Sequence, residues 1–251
     1  MVTNPRAQSE LSLNGKRGGA RPGAGRKPSV GRRSMPHRVR PIHRAAHPVH
    51  VTLRSGFRPL RHPFVFPTVR RAILAASRKR CNRPTRDRPE RTDFRVVHFS
   101  VQGDHIHLLV EATDRRALSN GVRGLSVSIA RRVNALVRRR GRVFADRWHG
   151  RALTTPRAVR RALIDVLANH RKHGSRRAGI DPYSSAPYFP AFRELGGRTA
   201  VERDPRCVPR VLAPSEDEPP APAAPQTWLL RIGWTRDAPI SIRDAPSGSP
   251  Q

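Results

Sequence analysis

Two histidines one residue apart, His105 and His107, sit in the alternating run from Phe94 to Ala112. Side chains at i and i+2 of a strand point to the same face, so a strand here brings two imidazoles close enough to share one cation. The same spacing also describes two partly exposed strand histidines with no ligand, and the pair alone does not separate these readings. A second group with chemical potential is Asp146-Arg147-Trp148-His149. There Arg147 is a candidate phosphate contact, and packing at a strand end accounts for it equally well.

The elements that must position these groups follow from apolar periodicity. Val49, Val51 and Leu53 alternate with His50, Thr52 and Arg54, the pattern of a half-buried strand, which Ser55-Gly56 ends. From Pro67, Val69, Ile73 and Leu74 recur at helical spacing to about Cys81, before a Pro-rich link at 83–89. Strands at about 94–102 and 105–112 flank the tight turn Gln102-Gly103-Asp104, so the histidine pair opens the third strand. Val122, Leu125, Ile129, Val133, Leu136 and Val137 mark the stripe of a long helix ending in Arg138-Arg139-Arg140. A short strand is expected within Arg142–Leu153. Pro156 suits the first turn of a last helix whose buried stripe is Val159, Leu163, Val166, Leu167 and His170, closed by Lys172-His173-Gly174. The order β-α-β-β-α-β-α predicts an α+β fold: a ferredoxin-like split βαβ antiparallel sheet with an additional C-terminal helix, flanked by disordered termini. The histidines then lie on whichever sheet face the helices leave open.

Charge narrows the partner. The chain has 50 Lys+Arg against 18 Asp+Glu, a net +32, and the excess is confined to residues 1–178, which hold 42 basic and 9 acidic side chains. Such a surface repels itself unless a polyanion neutralises it, and release of counterions from nucleic acid makes that pairing favourable. Only four of the basic residues are Lys. Arginine forks suit phosphate and stacked bases, although a GC-rich genome yields the same bias, and a ribosome-associated basic protein would share the composition.

Residues 1–46 are rich in Gly, Pro, Ser and Arg and are expected to form a disordered basic arm, with Arg21 and Arg26 in pieces loosely like AT-hook minor-groove arms. A solvated arm that holds any phosphate fits these residues as well. Residues 47–178 are the expected domain, and 179–251 a Pro-rich tail with one apolar docking element at Thr227–Trp234. No run is long and apolar enough to span a bilayer, and Met1–Arg6 lacks the apolar core of a signal peptide, so a cytoplasmic protein is expected. Cys81 and Cys207 match no zinc spacing and read as free thiols.

The ordered set His50-Val-Thr-Leu53, Ser100–Glu111, Asp146–His149 and Ala162–His173 resembles the single-tyrosine HUH transposases, and more narrowly the REP-associated tyrosine transposases of the insertion-sequence-200 type. The resemblance covers about residues 47–175. It implies that His105 and His107 bind a divalent cation, Mg²⁺ or Mn²⁺, which polarises a phosphate of single-stranded or hairpin DNA, imidazole ligands favouring Mn²⁺. Asn169 falls at the third-ligand position, four residues after that of the nucleophilic tyrosine. Arg138, Arg139, Arg140 and Arg147 join Arg21 and Arg26 as candidate DNA contacts. A second copy of the chain is a further candidate partner.

At the nucleophile position, however, stands Asp165, and the only tyrosines are Tyr183 and Tyr188, beyond the helix. A carboxylate attacking phosphorus gives a mixed anhydride that water cleaves, so Asp165 suits a metal ligand better than a strand-joining nucleophile. Whether the chain is an enzyme is therefore open at this point. The readings are a silent DNA binder descended from a transposase, a water-using metal-dependent nuclease, a transposase with a displaced nucleophile, and a metal-free nucleic-acid-binding or regulatory protein.

Overall fold

Alternation along the first strand sets the architecture. In β1 (Val49–Arg54) Val49, Val51 and Leu53 are buried while His50 and Thr52 are half-buried and Arg54 exposed. The computed structural model describes residues 42–78, 93–172, 179–214 and 222–246. Within them β1 is followed by α1 (Phe66–Ala76), β2 (Phe94–Val101), β3 (His105–Ala112), α2 (Arg115–Leu136), β4 (His149–Ala152) and α3 (Pro156–Leu167). The strands form one antiparallel sheet in the order β2-β3-β1-β4, the arrangement of a ferredoxin-like fold.

Each face of that sheet has its own core. On one side Val49, Val51, Leu53, Ile106, Leu108 and Val110 pack with the apolar stripes of α1 and α2. On the other, Val97 and Leu109 pack with Val159, Leu163, Val166 and Leu167 of α3. A bulge between Val96 and His98 changes the phase of β2, so Phe94 and Val96 before it and Phe99 and Val101 after it all reach the first core. Helix α2 begins at the Asp114 cap, whose side chain accepts the Ala117 N–H, and α3 begins at the Thr155 cap with Pro156 in its first turn.

Several boundaries differ from the sequence reading. Helix α1 stops at Ala76 rather than near Cys81, and α2 starts seven residues before Val122 because its amphipathic stripe continues through Leu118. The strand expected in 142–153 is paired only at His149–Ala152, with an isolated Ser55–Phe144 bridge before it. Helix α3 ends at Leu167, and Asn169–Arg171 form a separate 3₁₀ turn. The expected disordered arm lies outside the described residues except at 42–46, where His43 Nε2 bonds the carbonyl of Ala112 at 2.8 Å.

The tail is more than a linker with a docking element. Tyr183 O accepts the Val101 N–H and Phe99 O accepts the Ser185 N–H, adding a short stretch to the free edge of β2. Asp181 is clamped by Arg61 through two bonds of 2.8 and 2.9 Å. Beyond them come α4 (Ala200–Arg203) and α5 (Trp228–Arg231), and Phe189, Phe192, Leu229, Leu230, Trp234 and Ile240 complete the second core over α3. Arg160 of α3 donates to the carbonyls of Ala238 and Pro239, and Arg171 to those of Ile242 and Arg243. Proline-punctuated 3₁₀ turns hold these residues, which is why no helical or strand period announced them. The acidic stretch Glu216–Glu218 lies outside the described residues.

Candidate functional site

The strand register draws a map of the sheet face that α3 partly covers. His107 on β3 pairs with Thr52 on β1, which pairs with His149 on β4. In the next row Leu109 pairs with His50 and His50 with Arg151, and at the other end His105 pairs with Arg54. These side chains share one face because pairing across an antiparallel sheet keeps opposite residues on the same side. The histidine pair therefore lies on the side of α3, with α1 and α2 filling the opposite face.

Over this floor, Asp165 from the end of α3 and Asn169 from the 3₁₀ turn close one wall. His50, Thr52, Arg54, His105, His107, His149, Arg151, Arg161, Asp165, Asn169, Lys172 and Pro246 together line a cleft of about 570 Å³. The structure thus brings together His105, His107, Asp165 and Asn169, which the sequence had placed on two distant segments. It does not bring Arg138, Arg139, Arg140 or Arg147 into the lining. Arg139 lies 5.3 Å from the Phe57 ring centre at the end of α2, and Arg147 is exposed before β4. Arg21 and Arg26 lie outside the described residues. The cations that do line the cleft are Arg54, Arg151, Arg161 and Lys172. His149 was read only as a member of the Asp146–His149 group and Arg151 not at all, because a four-residue edge strand has too little alternation to assign a face.

Hydrogen bonds fix the imidazoles. His105 Nδ1 lies 2.7 Å from Asp104 Oδ1, and this bond holds the Asp104 carboxyl below its ordinary range. Because a carboxylate only accepts, the proton sits on Nδ1 and the lone pair on Nε2, the tautomer that carboxylate–histidine–metal arrangements use. His107 Nδ1 lies 3.1 Å from His50 Nε2 and 3.2 Å from Thr52 Oγ1. Burial, helped by Arg151 and His149, lowers the His50 pKa to about 4, so that ring is neutral near pH 7. The His105 and His107 ring centres are 4.8 Å apart with their planes at 90°.

On the wall, burial pushes the Asp165 carboxyl above its usual range although Arg151, Lys172 and Arg161 pull it down. Asn169 is 3% exposed, and its Nδ2 has no hydrogen-bond partner. An orphaned buried amide costs free energy unless something meets it. Rotating that amide presents Oδ1, a donor to hard cations, in the same cleft as two imidazoles. Among the described residues no group of three or more His, Cys, Asp or Glu is placed to hold an ion. The cleft groups that could hold a hard divalent ion are two imidazoles and an amide. Both tyrosines are elsewhere: Tyr183 meets Phe66 edge-on at 4.9 Å with Arg61 4.3 Å from its ring centre, and Tyr188 lines a separate cavity with Phe189 and Trp234.

Fold and site define a ferredoxin-like α+β protein with an imidazole-floored cleft rimmed by arginines. Residues 60–150, the segment that holds the histidine pair, match the family model described as Transposase IS200 like. The match ends before α3, which carries Asp165. The chain is also similar to a solved structure of a REP-associated tyrosine transposase bound to a REP hairpin. That similarity has 15% identity and a TM-score of 0.45, covering 73% of this chain and 93% of the other. No curated protein matches the chain. No helix among the described residues is long and apolar enough to cross a membrane.

Proposed function

We propose that this protein binds single-stranded or hairpin DNA, holding a phosphodiester in the histidine cleft beside a divalent ion, and that it does not form the covalent strand-transfer intermediate of its family. One observation carries the reading: the cleft gathers His105, His107, Asp165 and Asn169 under four cationic side chains, while both tyrosines of the chain lie outside it. His105, His107 and Asn169 would hold Mg²⁺ or Mn²⁺, which when bound would supply positive charge to the phosphoryl oxygens. Arg54, Arg151, Arg161 and Lys172 supply fixed positive charge around the same space, and an Arg fork orients a phosphate through paired N–H donors. Asp104 holds the His105 tautomer, and neutral His50 braces His107.

Asp165 occupies the nucleophile's place without its chemistry. Strand transfer needs an ester that keeps the energy of the broken P–O bond until a 3′-hydroxyl attacks it. A phenol provides that ester, whereas an aspartyl phosphate is lost to water. The REP hairpin bound to the structural neighbour is the natural first ligand to try.

The test is fluorescence anisotropy with a labelled hairpin oligonucleotide, with Mn²⁺ or with EDTA. Binding should weaken steeply with salt, by about −0.7 to −0.9 in log K per log salt for each neutralised phosphate. Mn²⁺ should tighten binding by the native chain and not by the His105→Ala/His107→Ala variant. Affinity flat in salt would overturn DNA binding; salt-dependent affinity indifferent to Mn²⁺ and to both histidines would leave a metal-free basic nucleic-acid-binding protein.

A further inference from the structure

The apolar island of the tail divides in two. Leu229, Leu230 and Trp234 are buried in the second core, whereas Trp228 is 46% and Ile232 54% exposed. Two neighbours hold the Trp228 ring in place. The Arg236 guanidinium lies 4.8 Å from the ring centre, and Gly233 lets the backbone approach so closely that a Cβ there would sit 2.7 Å from Cζ3. An exposed tryptophan kept in one orientation costs ordering and solvation, and its own fold does not use the open surface. Arg231, three residues on, lies on the same side of α5, since i and i+3 are helix neighbours. A half-exposed indole with one arginine beside its ring and a second one helical turn away is the chemistry that stacks an unpaired base and meets neighbouring phosphates.

We propose that Trp228, with Arg231 and Arg236, is a second subsite that stacks a base of single-stranded DNA leading away from the histidine cleft, a reading that rests on the proposed DNA binding. Charge complementarity selects this occupant: the Arg236 guanidinium lies beside the ring, and Arg231 is exposed one helical turn away. Its position agrees. Glu111 at the far end of β3 accepts the N–H groups of Gln226 and Thr227, which anchors α5 about six residues along the strand from His105, roughly 20 Å at 3.3 Å per residue. Stacked nucleotides advance about 3.4 Å each, and α3 covers the direct line over Leu109, so a flank of more than about six nucleotides is needed to join the two places.

The probe is a hairpin oligonucleotide carrying either a two-nucleotide or a ten-nucleotide single-stranded dT flank, bound to the full chain. The long flank should bind more tightly, and Trp228→Ala should remove that gain, a loss of about five- to one-hundred-fold, while leaving the short-flank affinity unchanged. Trp228→Phe should keep most of the gain, and Trp228→Ala should leave the melting temperature near that of the native chain. Long-flank DNA should also quench a tryptophan signal that Trp228→Phe lacks. If the native chain binds both hairpins equally, or Trp228→Ala weakens both alike, the subsite is refuted and hairpin binding stands. If neither hairpin binds, the DNA reading itself falls, and the subsite with it.

Discussion

Glu111 is the joint between the sheet and the tail, and its replacement should be among the most destabilising single changes. The side chain is 5% exposed, lies 3.5 Å from Nε of the equally buried Arg95, and accepts from the N–H groups of Gln226 and Thr227 and from Thr227 Oγ1 at 2.8–3.1 Å. Glu111→Ala strips a buried guanidinium of this carboxylate and removes the acceptor of two tail N–H groups. Breaking a buried ion pair on one side costs about 3–5 kcal/mol. Glu111→Gln keeps an acceptor and loses the charge, so about 1–3 kcal/mol is expected. With a urea slope of about 1–3 kcal/mol/M, Glu111→Ala should lower the unfolding midpoint by at least about 1 M. Tryptophan fluorescence reports it, because Trp228 and Trp234 follow directly in the tail. Adding Arg95→Leu to Glu111→Leu should recover only part of the loss, since the N–H groups at 226 and 227 still lack an acceptor. A cost below about 1 kcal/mol for Glu111→Ala, or full recovery in the double variant, would refute the view that this carboxylate ties the tail to the sheet.

Gly121→Ala should destabilise by about 1–3 kcal/mol in thermal melts despite the helix preference of alanine, because a Cβ at 121 collides with the fully buried Phe94 ring; a gain in stability would contradict that packing. Burial lowers the His98 pKa to about 4, against about 6.5 in an unfolded chain. As pH falls from 6.5 toward 4 the unfolded chain takes up a proton that the folded one refuses, so His98 contributes a stability loss of up to about 3 kcal/mol across that window. His98→Gln should flatten urea-midpoint profiles between pH 6.5 and 4, and an unchanged slope would count against a half-buried ring held neutral.

The sheet was legible because its alternation is clean. His50, Thr52 and Arg54 face away from Val49, Val51 and Leu53, and the turn before His105 fixed the register that puts both histidines on one face. Asp165 and Asn169 were placed by the family resemblance, and both line the histidine cleft, Asn169 from a 3₁₀ turn rather than from the helix. The cleft's cations were not legible: runs such as Arg138–Arg140 attract attention, while Arg54, Arg151 and Arg161 become a group only after β1, β4 and α3 meet. The tail was illegible for a related reason. Its contacts are side chains and carbonyls reached across more than seventy residues, such as Arg160 to Ala238, and short proline-broken turns carry no period from which to infer them.

Asp165 stands in the lining of the cleft with His105, His107 and Asn169, and the proposed absence of strand transfer rests on it. The direct measurement is a denaturing gel of the chain incubated with a labelled single-stranded hairpin substrate and Mn²⁺, beside the Asp165→Tyr variant. The native chain should give no covalent protein–DNA band, and Asp165→Tyr should give one that His105→Ala/His107→Ala abolishes. A covalent band from the native chain that disappears on changing Tyr183 or Tyr188 to Phe would show that a tyrosine outside the cleft reaches the phosphate, and would overturn the account.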